Sequence, residues 1–173
     1  AAIGHGSIVI DPHVEFQAVI AREALAQGRG AHSILVDDDI VFLKSLEIQF
    51  LQHGDFEIET YVTGELCIAA LDHEPDVIIL DYHLDGIDKK AMNGIETLDI
   101  IKESRAHIPV IMLSSQDKIE VAVSCMLHNA FDYIIKSETA FVRIQKDLAT
   151  LVKLHKMEKE LKWYMDKSSF LSH

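Results

Sequence analysis

The chain has 173 residues, of which 49% are apolar and 25% charged, with a formal net charge of −12. That length can bury a core without disulfide or metal staples, and the balance is that of a globular domain. The negative charge argues against a phosphate-backbone surface, which needs clustered Lys and Arg, so no nucleic-acid contact is expected.

Residues 1–31 read as an N-terminal extension. Asp11-Pro12 is a helix start, with Asp as cap and Pro in the first turn, and residues 14–27 read as a short helix ended by Gly28. Gly4-His5-Gly6-Ser7 and the 168–173 tail look like cloning remnants. From residue 32 short apolar runs alternate with longer amphipathic stretches. Residues 33–37 (SILVD) form the first candidate strand. Residues 40–53 follow as a helix with Val41, Leu43, Leu46, Phe50 and Leu51 at roughly helical period, stopped by Gly54. Residues 57–62 (EIETYV) alternate as a strand does, and 65–73 (ELCIAALDH) read as a helix ended before Pro75. Residues 76–81 (DVIILD) are a continuous apolar run ending in a carboxylate, which suits a central parallel strand covered on both faces.

A long polar connection, 82–93, leads to a helix at 94–105. Residues 109–114 (PVIMLS) are another buried strand. Asp117 with Glu120 three residues later predicts a capping box for a helix reaching about residue 129. Residues 132–136 (DYIIK) give the fifth strand. The stretch from 139 to about 166 contains no Gly or Pro and reads as one helix. Residues 32–150 thus form one domain, and 151–173 an extended C-terminal helix and tail. Strands alternating with helices predict a parallel sheet with right-handed crossovers. The expected fold is α/β, a doubly wound five-stranded sheet, flavodoxin-like, in the order 2-1-3-4-5; periodicity alone does not fix that order.

No apolar run reaches the roughly 18 residues that span a bilayer. No basic stretch followed by an apolar core marks a secretory signal. A cytoplasmic location without a membrane partner is the expectation. Cys67 and Cys125 sit in helical patterns outside any CxxC pair and read as free packing thiols.

In a doubly wound sheet ligands bind beyond the carboxyl ends of the strands. There the sequence places Asp37-Asp38, Asp81, Ser114-Ser115 and Lys136. Clustered carboxylates repel unless a cation joins them, and a few carboxylates with open water positions suit Mg²⁺. A carboxylate so placed, beside an ammonium and a hydroxyl, is equipped for in-line phosphoryl transfer.

The segments ILVDDD, DVIILDYHLDG, VIMLSS and FDYIIK, in this order and spacing, resemble the receiver domain of two-component response regulators over about 120 residues. The resemblance implies that Asp81 is the phosphoacceptor. It implies Mg²⁺ held by Asp37, Asp38, Asp81 and the backbone carbonyl of His83. Lys136 and Ser114 would stabilise the phosphoryl group, and Ser114 with Tyr133 would form the switch. His83 and Gln116, two residues beyond acceptor and hydroxyl, would tune the lifetime. The implied donor is a histidine kinase or phosphotransfer protein.

The chain departs from the family in three places. Asp85 stands where the family has Pro. The family's Gly about eight residues after the acceptor matches Gly94, which implies an insertion near residues 86–90. Ser137 follows the Lys in place of a cis Pro, so a trans bond is expected. Two other functions compete. A haloacid-dehalogenase-like phosphatase also uses a strand-end Asp but wants a second acid where His83 stands. A receiver that signals without phosphate is disfavoured by the full set of acceptor, metal ligands and Lys. In the C-terminal stretch Leu151, Leu154, Met157, Leu161 and Tyr164 recur every three or four residues. Such a helix is marginal alone in water, and a homodimer through it is expected, though the spacing is too irregular for a long coiled coil.

Overall fold

The apolar runs do form the strands. The computed structural model describes residues 31–171, so the expected helix at 14–27 and the rest of 1–30 lie outside it. Strands β1 (Ala31–Val36), β2 (Phe56–Tyr61), β3 (Val77–Asp81), β4 (Val110–Ser114) and β5 (Asp132–Ile135) make one parallel sheet in the order β2-β1-β3-β4-β5. Five helices alternate with them: α1 (Ile40–Gln52), α2 (Gly64–Ala69), α3 (Gly94–Ser104), α4 (Ile119–Leu127) and α5 (Ala140–Leu171). A single 3₁₀ turn, Leu71–His73, follows α2.

Side chains of a strand alternate between faces, and the three inner strands feed two cores. Ile34, Ile78, Leu80 and Met112 point to the layer of α2, α3 and α4, with Leu98, Ile101 and Cys125. Leu35, Ile79, Ile111 and Leu113 point to α1 and α5, where Leu43, Leu46, Phe50, Phe141, Ile144 and Leu148 close over them. All residues of β3 and β4 are buried, as a doubly covered parallel sheet requires. Each such side chain contributes about 1.5–3 kcal/mol, so a charge at Ile79 would break the fold.

Several local expectations need correction. The capping box does not form at Asp117 and Glu120; α4 starts after Lys118, with no side-chain cap. The capping box belongs to α3. There Asn93 Oδ1 accepts from the Glu96 amide and Glu96 Oε2 from the Asn93 amide, both at 2.9 Å. The helix expected at 65–73 breaks at Ala70, where the chain tightens into the 3₁₀ turn and Glu74 takes a left-handed φ of 49° before Pro75. Val41 and Leu51 do not belong to the core; they are 80% and 55% exposed, because the buried face of α1 is Leu43, Leu46 and Phe50. Cys67 and Cys125 are buried and free, and burial pushes the Cys67 thiol up to about 12. Among the described residues there is no cis peptide bond. No described helix is long and apolar enough to cross a membrane.

Candidate phosphoacceptor site

Parallel register brings the strand ends to one edge. Asp81 closes β3 opposite Leu113, and Ser114 closes β4 opposite Ile135, one residue before Lys136. The Lys136 amide donates to the Ser114 carbonyl at 2.8 Å, which fixes where the lysine leaves the sheet. From there Lys136 Nζ lies 2.7 Å from Asp37 Oδ2 and 3.2 Å from Asp81 Oδ1. It also stands 4.6 Å from the centroid of the Phe42 ring, an apolar platform with a negative face. Sequence reasoning missed Phe42. Its only signal was a place one turn beyond the acidic run.

The acids divide their work. Asp39 caps α1, accepting from the amides of Val41 at 3.0 Å and Phe42 at 3.2 Å. Asp37 Oδ1 accepts from the Asp39 amide at 2.9 Å, so its other oxygen turns toward Lys136. Asp37 and Asp81 are 2% and 3% exposed. One carboxylate oxygen from each of Asp37, Asp38 and Asp81 lies within 4.8 Å of the others.

Burial raises the Asp81 carboxyl to about 7, and the charge of Asp37 adds to it, against the pull of Lys136 and the His83 amide. Burial likewise raises Asp37. Burial alone would lower Lys136, but its bond to Asp37 and the charges of Asp81 and Asp37 carry it above its ordinary value. Three acids facing one ammonium leave a deficit of positive charge. A small hard cation with oxygen ligands fits that deficit.

The other expected residues gather nearby. Ser114 is fully buried, and its Oγ accepts from the Gln116 amide at 3.0 Å. The Tyr133 hydroxyl donates to the Gln116 carbonyl, with the ring only 9% exposed. Gln116 therefore joins the expected hydroxyl to the expected aromatic, a link the spacing did not reveal. His83 stacks edge-on against Tyr82 at 4.8 Å, and its Nε2 is buried without a hydrogen-bond partner among the described residues.

Two glycines hold the 82–93 connection against the site. A Cβ on Gly94 would stand 2.4 Å from the Asp81 carbonyl oxygen and 2.7 Å from Tyr82 Cα. The Gly94 amide donates to the Tyr82 carbonyl at 3.0 Å. A Cβ on Gly86 would stand 2.9 Å from Asp38 Oδ2, so the inserted segment passes directly over that carboxylate.

Residues 34–148 match the family model for the response regulator receiver domain. The nitrogen assimilation regulatory protein NtrX of Azorhizobium caulinodans is 32% identical over 136 residues, covering 76% of this chain and 29% of that protein. A protein-glutamate methylesterase/protein-glutamine glutaminase of Clostridium acetobutylicum is 35% identical over 113 residues, covering 62% of this chain and 31% of that protein. Among solved structures, NtrX from Brucella abortus superposes with a TM-score of 0.66 at 26% identity, over 76% of this chain and 30% of that one. The receiver domain of a LuxO repressor protein from Vibrio parahaemolyticus gives 0.64 at 23% identity, over 76% and 96%. The chain thus spans 29–31% of the length of the curated relatives named here. With the family match extending over most of the chain and the strand-end acids, hydroxyl and lysine meeting at one edge, the chain belongs to the response regulator receiver domains of two-component signalling.

Proposed function

We propose that Asp81 accepts a phosphoryl group from the phosphohistidine of a histidine kinase or phosphotransfer protein, in a Mg²⁺-dependent reaction. The observation that carries this is the bridge of Lys136 between Asp81 and Asp37 at 3.2 and 2.7 Å. It holds the attacking carboxylate in place and sets an ammonium beside the incoming charge. A carboxylate oxygen of Asp81 forms the new bond to phosphorus as the phosphorus–nitrogen bond breaks. The imidazole keeps the electron pair and, already protonated on its other nitrogen, leaves neutral. Asp37, Asp38, Asp81 and the His83 carbonyl would hold the Mg²⁺, which when bound neutralises charge on the phosphoryl oxygens.

Ser114 and Tyr133 then act as the switch. When Ser114 Oγ turns to a phosphoryl oxygen, it gives up the geometry in which it holds the Gln116 amide. The Gln116 carbonyl in turn holds the Tyr133 hydroxyl, so a shift at Ser114 reaches the aromatic through one residue. His83 and Gln116, two residues beyond the acceptor and the hydroxyl, order or exclude the water that hydrolyses the acyl phosphate. The second partner is another copy of this chain, bound through α5.

The test uses a small phosphodonor such as acetyl phosphate, with beryllofluoride as mimic, read by intact mass and by Mg²⁺ titration. The wild type should be modified on Asp81 only with a divalent cation present. Modification that persists unchanged in Asp81→Asn overturns the assignment.

A further inference from the structure

The C-terminal helix changes sides. Through its first three turns α5 buries Phe141, Ile144 and Leu148 against the sheet. Leu151 and Val152 are half-buried at the domain's edge, and every described residue from Lys153 to Leu171 is exposed. At about 100° per residue, Leu154, Met157, Leu161, Tyr164, Ser168 and Leu171 fall on one stripe. That stripe lies roughly half a turn round the helix from Phe141, Ile144 and Leu148. The apolar face that served the core therefore ends at the domain boundary, and a second one begins on the opposite side.

The second stripe has the spacing of a heptad seam, positions a and d alternating through Leu154, Met157, Leu161, Tyr164, Ser168 and Leu171. Helix α5 continues to Leu171, a turn past the sequence expectation, and that turn supplies the last two seam positions, Ser168 and Leu171. Met157, Leu161 and Tyr164 are 55%, 61% and 64% exposed, on a helix too marginal to stand alone in water.

We infer that this stripe pairs with the same stripe of a second copy as a short parallel two-stranded coiled coil. This rests on the reading of α5 as a homodimer contact and adds its orientation and register. Because the seam faces away from each copy's own core, the two receivers lie on the outer sides of the pair and leave the seam clear. In the parallel arrangement like meets like, and five of the six layers are apolar on both sides. The antiparallel arrangement would set Met157 against Ser168 of the second copy, twice. In the parallel register the flanking position of Lys153 faces that of Glu158 in the second copy, twice by symmetry. Neither residue has an ion-pair partner among the described residues. At on the order of 100 Å² per seam side chain, the pair buries about 1,200 Å², the lower end for a specific interface.

The test measures the mass of the unmodified full chain by light scattering at tens of micromolar. Asp81→Asn is run beside it, so that the result stands apart from phosphoacceptor chemistry. Both should be dimers, and Leu161→Glu should be a monomer. Lys153→Glu should weaken the dimer several-fold, and adding Glu158→Lys should restore it. Leu154→Cys should form an interchain disulfide on mild oxidation, since Cys67 and Cys125 are buried. A monomer overturns both the dimer contact and its register. A dimer that ignores the charge swap and fails to crosslink at 154 overturns the parallel register alone.

Discussion

Replacing Asp81 by Asn should stabilise the metal-free protein, and by an amount that depends on pH. Folding raises the Asp81 carboxyl from its ordinary value of 3.8 to about 7, first through burial and then through the charge of Asp37. The native state therefore binds more protons than the unfolded state between about pH 4 and pH 7, and the stability Asp81 contributes is lost as pH rises through that window. Three pH units correspond to a ceiling of about 4 kcal/mol. Asn has the same shape and no charge. Lys136 Nζ lies 2.7 Å from Asp37 Oδ2 as well, so removing the Asp81 charge should strand no ammonium. The variant should match the wild type near pH 4 and exceed it by about 2–4 kcal/mol at pH 8. Urea unfolding in EDTA at a series of pH values gives the difference, in which unrelated titrations cancel. Added Mg²⁺ should then stabilise the wild type more than the variant. A variant less stable than the wild type at pH 8 in EDTA refutes the reasoning, because the carboxylate would then hold the fold together.

Gly94→Ala should cost about 2 kcal/mol or more, since its Cβ would meet backbone atoms of Asp81 and Tyr82 at 2.4–2.7 Å; thermal unfolding reads it, and an unchanged Tm counts against that packing. Asp38→Ala should weaken Mg²⁺ binding strongly, so that phosphorylation needs far more Mg²⁺, while leaving metal-free stability equal or higher, because one of three crowded acids is gone; a clear loss of stability in EDTA would make Asp38 structural. Replacing His83 or Gln116 should change the rate of dephosphorylation more than that of phosphorylation, measured by decay of the modified mass after donor removal. Equal effects on both steps would remove their role in ordering water. Tyr133→Phe should leave phosphorylation intact but uncouple Gln116 from the aromatic, seen as a smaller beryllofluoride-induced chemical-shift change at ring 133 than the wild-type ring shows; a full response of the Phe ring would sink the relay.

The parts of this molecule that were legible in sequence are those where one physical demand dominates. A strand buried on both faces must be apolar throughout, so DVIILD and PVIMLS could be located to within a residue. A polar residue at the end of such a run has few reasons to be there other than the strand-end crevice, which is why Asp37, Asp81, Ser114 and Lys136 were found together. Where two demands compete, the sequence misled. Asp117 and Glu120 satisfy the pattern of a capping box, but the loop that holds Asp117 is pinned by Ser114 and by the Gln116 carbonyl under Tyr133, and α4 starts past it with Glu120 in its first turn. Val41 and Leu51 satisfy the helical period of α1 loosely and are exposed all the same, because period alone does not say which apolar residues face the sheet. Phe42 could not be found, since its role beside Lys136 depends on a meeting between α1 and the end of β5.

The charge arrangement would let the proposed site be both stable and responsive. Three carboxylates and one ammonium at close range are a local conflict that the surrounding apolar sheet outweighs; β3 and β4 are buried along their whole length. Lys136 cannot relieve Asp37 and Asp81 fully, and it lies within 4.0 Å of no oxygen of Asp38. A cation relieves all three acids at once, and any added phosphate reopens the conflict unless cation and lysine both stay. The energy of that conflict is of the same order as a two-state switch requires, a few kcal/mol. In the proposed switch, a site whose charges were balanced at rest would have little reason to move Ser114 on phosphorylation. The imbalance that should make Asp81→Asn a stabilising change is therefore the same imbalance by which the proposed switch would work.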